Sequence, residues 1–315
     1  MVDPDLLKIA ASKRETLKAS TNAIRLVNSM GDDEELSGLI LEQYHQHFVA
    51  QIFDERWLKE KKLLRDFVKE QGGVYLVIKD RTESASSHPD DIKRNVWIEH
   101  NSSQTIVEEN GLNFGVDLND TLNTGLFLDM RHNRKVVSGL AANRKVLNCF
   151  AYTCSFGVYC RHKGAISVVN VDVSKKSLDR GRANYELNGI VPEKNEFIRA
   201  DAVEYLEKAV KKDNRFDLII LDPPSFARHE GKIFSVKKDL AGLIANAVKV
   251  LNPDGVLFVS TNLSDMNPEY LEDLITEAAK NRTVKKVDYF GQDQDFPGSG
   301  LMSESCLSAV LVILS

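Results

Sequence analysis

Disulfide and metal chemistry are thinly provided for in this sequence. Four cysteines in 315 residues are too few for a stapled framework, and Cys149, Cys154 and Cys160 lack the Cys-x-x-Cys spacing of zinc sites. They read as reduced thiols of a cytoplasmic protein, and no metal site is expected. Long apolar runs are missing too. Nothing approaches the roughly 18 uninterrupted apolar residues of a membrane span, and the opening MVDPDLLKIAASKRE has no apolar targeting core, so neither export nor membrane insertion is expected. Positive charge is not in excess. With 41 Lys and Arg against 46 Asp and Glu, the net charge is -5, which argues against a general polyanion binder and confines any nucleic-acid contact to local basic segments.

A dinucleotide fingerprint is also absent. Such a motif needs Gly-x-Gly-x-x-Gly so that backbone can approach a pyrophosphate, whereas the stretch NCFAYTCSFGVYC holds only Gly157. A nicotinamide oxidoreductase is thereby disfavoured.

What is present is an ordinary globular composition, 43% apolar and 28% charged, in a chain long enough for one large domain and a smaller one. From Arg144 onward short apolar runs alternate with helical stretches: RKVLNCF, AISVVNVD, NEFIRAD, FDLIILD and GVLFVS. That alternation predicts an α/β domain, a Rossmann-like doubly wound parallel sheet covered on both faces. A helix near NPEYLEDLITEAAKN, then VKKVDYF and CLSAVLVIL, predict that the sheet ends in an antiparallel hairpin, as methyltransferase sheets do. Upstream, SGLILEQYHQHFVAQIF reads as a half-buried hairpin. DERWLKEKKLLRDFVKEQGG reads as one helix with Trp57, Leu58, Leu63, Leu64, Phe67 and Val68 on a single face. The domains expected are a loosely attached helical extension over 1–20, a small mixed α/β domain over 21–110 that could bind RNA or mediate homodimerisation, and a catalytic domain over 111–315.

Ligands of such sheets sit at the carboxyl ends of the strands. The first strand there runs into a polar loop offering Asn148, Tyr152, Thr153 and Ser155. The next three strands end on Asp172, Asp201 and Asp222. Asp172 is placed to accept from ribose hydroxyls, unless it merely caps the following helix, and Asp201 to accept from an adenine amino group. Acids without phosphate glycines suit an adenosine ligand that carries a cationic centre and no phosphate, which is S-adenosylmethionine.

After Asp222 comes Pro223-Pro224-Ser225-Phe226. Two prolines fix the backbone and expose no unpaired N–H, so Asp222 and the Pro223 carbonyl are held at the sheet rim with Phe226 free to stack on a planar base. The arrangement resembles the Asp/Asn-Pro-Pro-aromatic loop of methyltransferases acting on nitrogen, in which positioning rather than acid–base chemistry supplies the rate.

TGLFLDMRHNRKVV, VLNCFAYTCSFGVYC, VVNVDVSKKSLDRGRANYELNGI, RADAVEYL and LDPPSFAR together resemble the large-subunit (23S) ribosomal RNA methyltransferases of the K/L and I type, and the likeness runs from about residue 25. The resemblance implies that Phe127, Asp129 and Arg131 shape the methionine end of the cofactor pocket and that the Asp222 loop faces the methyl group. Two departures stand out. Cys154 replaces the family's glycine and would put a side chain where backbone approaches the cofactor. The N-terminal PUA domain of the I type has no counterpart, so RNA capture would fall to the small domain, a partner, or basic segments: Arg131, Arg134 and Lys135, the helix SKKSLDRGRANY, and ARHEGKIFSVKKD.

Methylating cytosine C5 needs a thiolate to attack C6. The I type is expected to carry it after the fifth strand, where this chain reads FVSTNLSDMN. Cysteine placement therefore favours a base nitrogen, guanine N7 foremost, as in the K/L type. The alternatives are a cytosine-C5 RNA enzyme, which would turn on Cys306, a small-molecule methyltransferase of the same fold, and a non-catalytic binding module.

Overall fold

The computed structural model describes residues 2–82, 94–99, 102–120, 123–229, 232–298 and 307–315, with backbone alone at 94–99, 227–229 and 232–233. The chain divides into two compact units. The first is Met1–Arg131 together with a segment that begins at Asp293, and the second is His132–Gln292 together with a final segment that ends at Ser315.

The first unit opens on α1 (Pro4–Ser12), with Pro4 at the first helical position and the Asp3 carboxylate accepting from the Asp5 N–H. Leu7, Ala10, Ala11 and, beyond the helix, Leu17 are buried in the unit's core. Residues 1–20 are thus packed in rather than loosely attached, because the helix has an apolar face to hide. Strands β1 (Ala23–Asn28), β2 (Leu39–Tyr44), β3 (His47–Ile52), β4 (Tyr75–Asp80) and β5 (Arg94–Glu99) form one sheet in sequential order. The expected hairpin is β2–β3, turning at His45 with φ of 56°. The helix expected between β3 and β4 is two pieces, α2 (Arg56–Lys59) and α3 (Lys61–Glu70), which meet at Glu60. Its apolar face survives the break: Trp57, Leu64, Phe67 and Val68 are buried, and Leu58 and Leu63 pack against them partly exposed.

Hairpin β6 (Gln104–Glu109) and β7 (Leu112–Asp117) belongs to this unit. Thr21 bridges to Glu109, and the Thr124 hydroxyl donates to the Tyr44 hydroxyl at 2.9 Å. The boundary therefore falls at Arg131 instead of 110. Residues 293–297 join the unit beside β1, whose free edge is satisfied by three side chains, one of them from this segment. Asp295 Oδ2 accepts from the Arg25 N–H at 2.9 Å, Arg131 donates to the Ala23 carbonyl at 2.7 Å, and Arg14 donates to the Arg25 carbonyl at 3.1 Å. An edge so engaged has no row of open backbone groups at those positions.

The second unit begins in α4 (Arg131–Ser138), whose first residue closes the first unit, and continues with β8 (Lys145–Cys149), α5 (Ser155–His162), β9 (Ser167–Asp172), α6 (Lys175–Leu187), β10 (Phe197–Arg199), α7 (Ala202–Lys211) and β11 (Phe216–Leu221). A small hairpin, β12 (Phe226–His229) with β13 (Lys232–Ser235), precedes α8 (Val236–Val250), β14 (Leu251–Thr261), α9 (Pro268–Ala278), β15 (Val284–Phe290) and β16 (Ser308–Leu314). The seven strands lie in the order β10-β9-β8-β11-β14-β16-β15. β16 runs antiparallel to both its neighbours and the others are parallel. This is the doubly wound sheet with a terminal antiparallel hairpin that the apolar runs predict. Covered on both faces, Leu218, Ile219, Ile220 and Leu221 are wholly buried, each contributing about 1.5–3 kcal/mol of apolar transfer. The winding reverses between β8 and β11, which opens a crevice at their carboxyl ends.

Candidate active site

At that edge the loop after β8 turns sharply. Phe150, Tyr152 and Cys154 have φ of 57°, 48° and 58°, and this alternation brings the Tyr152 N–H to Asp172 Oδ2 at 2.8 Å. Asp172 Oδ1 accepts from the Ser174 N–H at 2.8 Å. The helix cap is a different residue: Ser174 Oγ accepts from Ser177 N–H. Burial raises the Asp172 pKa above its ordinary value, against the opposing pull of the Ser174 and Tyr152 amides. Two backbone donors leave a carboxylate with spare acceptor capacity, so Asp172 remains able to take hydroxyl donors. Asp201 does cap its helix, with Oδ1 accepting from Val203 and Glu204 N–H at 2.9 and 3.1 Å. Its Oδ2 accepts no hydrogen bond among the described residues.

Asp222 follows β11. Its Oδ1 accepts from the Ser260 hydroxyl at 2.7 Å. Pro223 is buried, Pro224 is exposed, and Phe226 is 54% exposed. Ser225 Oγ donates to Asn262 Oδ1, while the Ser225 carbonyl accepts from the Val236 N–H at 3.3 Å. Ser260, near the end of β14, and Asn262, just past it, carry no signal in a sequence pattern built on strand-end acids and cysteines.

Several expected site residues sit elsewhere. Asn148 is buried beneath the loop with its Nδ2 on Asn170 Oδ1 at 2.9 Å, and Asn170 in turn donates to the Tyr185 hydroxyl at 2.9 Å. Its amide is thus committed inside the sheet. Gly157 serves this network, since a Cβ there would collide with Asn170 Oδ1 and the Tyr185 hydroxyl. Thr153 is buried and its carbonyl accepts from Asn184 Nδ2, whereas Tyr152 and Ser155 stay partly exposed. Cys154 does not project at the cofactor position, because its left-handed backbone turns the wholly buried thiol against α6.

Phe127, Asp129 and Arg131 lie in the first unit. Phe127 is 41% exposed, and the Asp129 carbonyl accepts from the Asp293 N–H. Arg131 donates to Asp293 and Asp295 at 2.8 and 3.0 Å and is 2% exposed; Arg134 is 1% exposed. Neither arginine is a surface contact for RNA, because each is buried among protein groups, and of that basic trio Lys135 alone faces solvent. On α6, Lys175 and Lys176 are exposed and line a shallow depression with Asp179, Arg180 and Ala183. The segment after the Asp222 loop folds as the β12–β13 hairpin, and its Phe234 ring lies 5.5 Å from that of Phe150. Cys306 lies outside the described residues.

Asp172, Asp201 and Asp222 thus lie at or just past the ends of three consecutive strands, β9, β10 and β11, of a doubly wound sheet of the methyltransferase class, beside a turn closed on backbone amides. A family model for S-adenosylmethionine-dependent methyltransferases matches residues 58–310. The chain is 43% identical over 183 residues to ribosomal RNA large subunit methyltransferase K of Neisseria meningitidis, covering 58% of this chain and 51% of that protein. It is 30% identical over 301 residues to ribosomal RNA large subunit methyltransferase I of Aeromonas salmonicida, covering 92% of this chain and 74% of that one. The crystal structure of SMU.776 complexed with SAH superposes with a TM-score of 0.86 at 26% identity, over 98% of this chain and 80% of the other. The chain belongs to the S-adenosylmethionine-dependent methyltransferase family. Its cofactor is S-adenosylmethionine, which supplies the methyl group as an electrophile.

Proposed function

We propose that this protein methylates a base nitrogen of large-subunit ribosomal RNA, with guanine N7 the favoured atom. Asp172 holds the ribose hydroxyls of the cofactor and Asp201 its adenine amino group. Asp222 and the Pro223 carbonyl orient the target base on the Phe226 ring.

The observation that carries this reading is the end of β11. Asp222 is fixed by Ser260, an exposed aromatic ring stands four residues on, and the adjoining end of β14 carries Ser260, Thr261 and Asn262 rather than a thiol. Cys149, Cys154 and Cys160 are all fully buried, and burial pushes the Cys160 thiol up to about 12 and those of Cys149 and Cys154 upward as well. Thiols so protonated supply no nucleophile for C5 chemistry. A nitrogen lone pair needs none and gains chiefly from alignment, worth roughly 7–11 kcal/mol of barrier. The ribosomal RNA substrate is supported by the relatives' names, and the exposed lysines of α6 offer phosphate contacts in a chain of net charge -5. A base in structured RNA would have to swing out of its stack to reach the site.

The test is transfer of radiolabelled methyl from S-adenosylmethionine to large-subunit RNA from a strain lacking the gene, followed by nucleoside digestion and mass identification. Label on 7-methylguanosine is expected, and Asp222→Ala should lower turnover about 100-fold or more. Label on 5-methylcytosine would overturn the nitrogen assignment, and no label on RNA would move the substrate to a small molecule.

A further inference from the structure

Two side-chain hydrogen bonds tie the Asp222 loop to the end of β14, and one leaves a set of donors without a partner. Ser260 Oγ donates to Asp222 Oδ1, which fixes that carboxylate's rotamer. Ser225 Oγ donates to Asn262 Oδ1, and Ser225 is itself anchored through its carbonyl by the first amide of α8. Asn262 is exposed, and its Nδ2 makes no hydrogen bond among the described residues. An asparagine whose oxygen is taken presents only its two N–H donors. An ionised Asp222 only accepts. β11 and β14 are neighbours with Leu221 opposite Val259, so an acceptor and a donor stand at adjacent strand ends near the exposed Phe226 ring.

We infer that Asn262 determines base specificity by donating Nδ2–H to an acceptor on the target base, while Ser225 sets the direction of its amide and Ser260 that of Asp222. The inference rests on the base-methylation reading above. A base edge that satisfies both groups carries an acceptor next to a donor, and guanine supplies this with O6 beside N1–H. Ser225 and Ser260 are positioning residues, since each acts through another side chain. Asn262 is the member that touches substrate.

A bland role for Asn262, holding Ser225 and nothing more, makes different predictions. Asn262→Asp keeps an acceptor for the Ser225 hydroxyl and removes the donors. A cycle of Ser225→Ala, Asn262→Ala and the double variant avoids adding charge. All are assayed as the full chain for kcat and KM on large-subunit RNA from a strain lacking the gene, with S-adenosylmethionine binding titrated in parallel. Asn262→Asp is expected to lower kcat/KM for RNA about 10- to 100-fold with cofactor affinity unmoved, and Asn262→Ala is expected to cost further rate in the Ser225→Ala background. Wild-type rates for Asn262→Asp, or equal rates for Ser225→Ala and the double variant, would overturn the inference. Label on a base other than guanine would sink the guanine reading alone, leaving the donor role to be judged by the same ratios. No label on any RNA by the wild type would remove both.

Discussion

The thiol of Cys154 fills the notch left by Gly181. Cys154 is the residue before α5 and Gly181 lies inside α6, and a Cβ built at 181 would overlap both Sγ and Cβ of Cys154. Gly181→Ala is therefore expected to destabilise the protein by about 1–3 kcal/mol. Cys154→Ala in the same chain should recover much of that loss, since it removes the colliding sulfur. Denaturant midpoints of the two single variants and the double variant check this; additive losses would show that the two side chains do not share the space.

Thiol chemistry follows from the same burial. Cys149, Cys154 and Cys160 are inaccessible, with thiol pKa values pushed up by burial. None of these three is expected to react rapidly with an aromatic disulfide reagent in the native protein, and all four cysteines of the sequence are expected to react after denaturation. Fast native reaction of two or more would contradict the packing of the cofactor loop.

A pH effect is expected at Asp172. Burial raises its pKa in the folded chain, so ionisation costs the fold, and the stability it contributes is present at low pH and lost as pH rises through the folded value. On the proposed role of Asp172, cofactor binding runs the other way, because ribose hydroxyls need an ionised acceptor. Affinity for S-adenosylmethionine should fall on acidification at a pH above that of an ordinary aspartate. Calorimetric titration across the mildly acidic range tests this, and Asp172→Asn should bind weakly with that pH dependence gone.

Arg131 is a structural cation. Burial lowers its pKa, and Asp295, then Glu109 and Asp293, outweigh that and raise it. Arg131→Met strands Asp295, which is wholly buried, and is expected to cost about 3–5 kcal/mol. Unfolding midpoints of Arg131→Met and Asp295→Asn should both drop, and a neutral Arg131→Met would show that the cluster adds nothing.

Much of this was legible in advance, and the reasons are physical. Apolar runs such as FDLIILD marked buried strands because a strand covered on both faces must be apolar throughout. The acids after those strands were legible as strand ends, but Asp201 proves also to cap its helix, a role that local pattern does not separate from ligand binding. The break at Glu60 was hidden because Trp57 and Leu64 stay on one face across it. Arg131 was misjudged because its anionic partners Asp293 and Asp295 are 162 and 164 residues away, beyond the reach of local pattern. Asn262 was missed because a polar residue after a strand is common in loops, and its meaning depends on Ser225, 37 positions earlier.

The strap formed by residues 293–297 bears on the order of events during synthesis. The N-terminal unit holds two buried arginines, Arg14 and Arg131, and a partly buried one, Arg25, that lean on this strap: Arg14 donates to the Asp295 carbonyl at 3.2 Å, Arg25 stacks on the Phe296 ring at 4.1 Å, and Arg131 pairs with Asp295. When the ribosome has made the first 131 residues, none of those partners exists. The unit emerging first has Asp32, Glu42 and Glu109 to pair with these guanidinium groups, and it gains the strap's contacts only once most of the second unit has been translated.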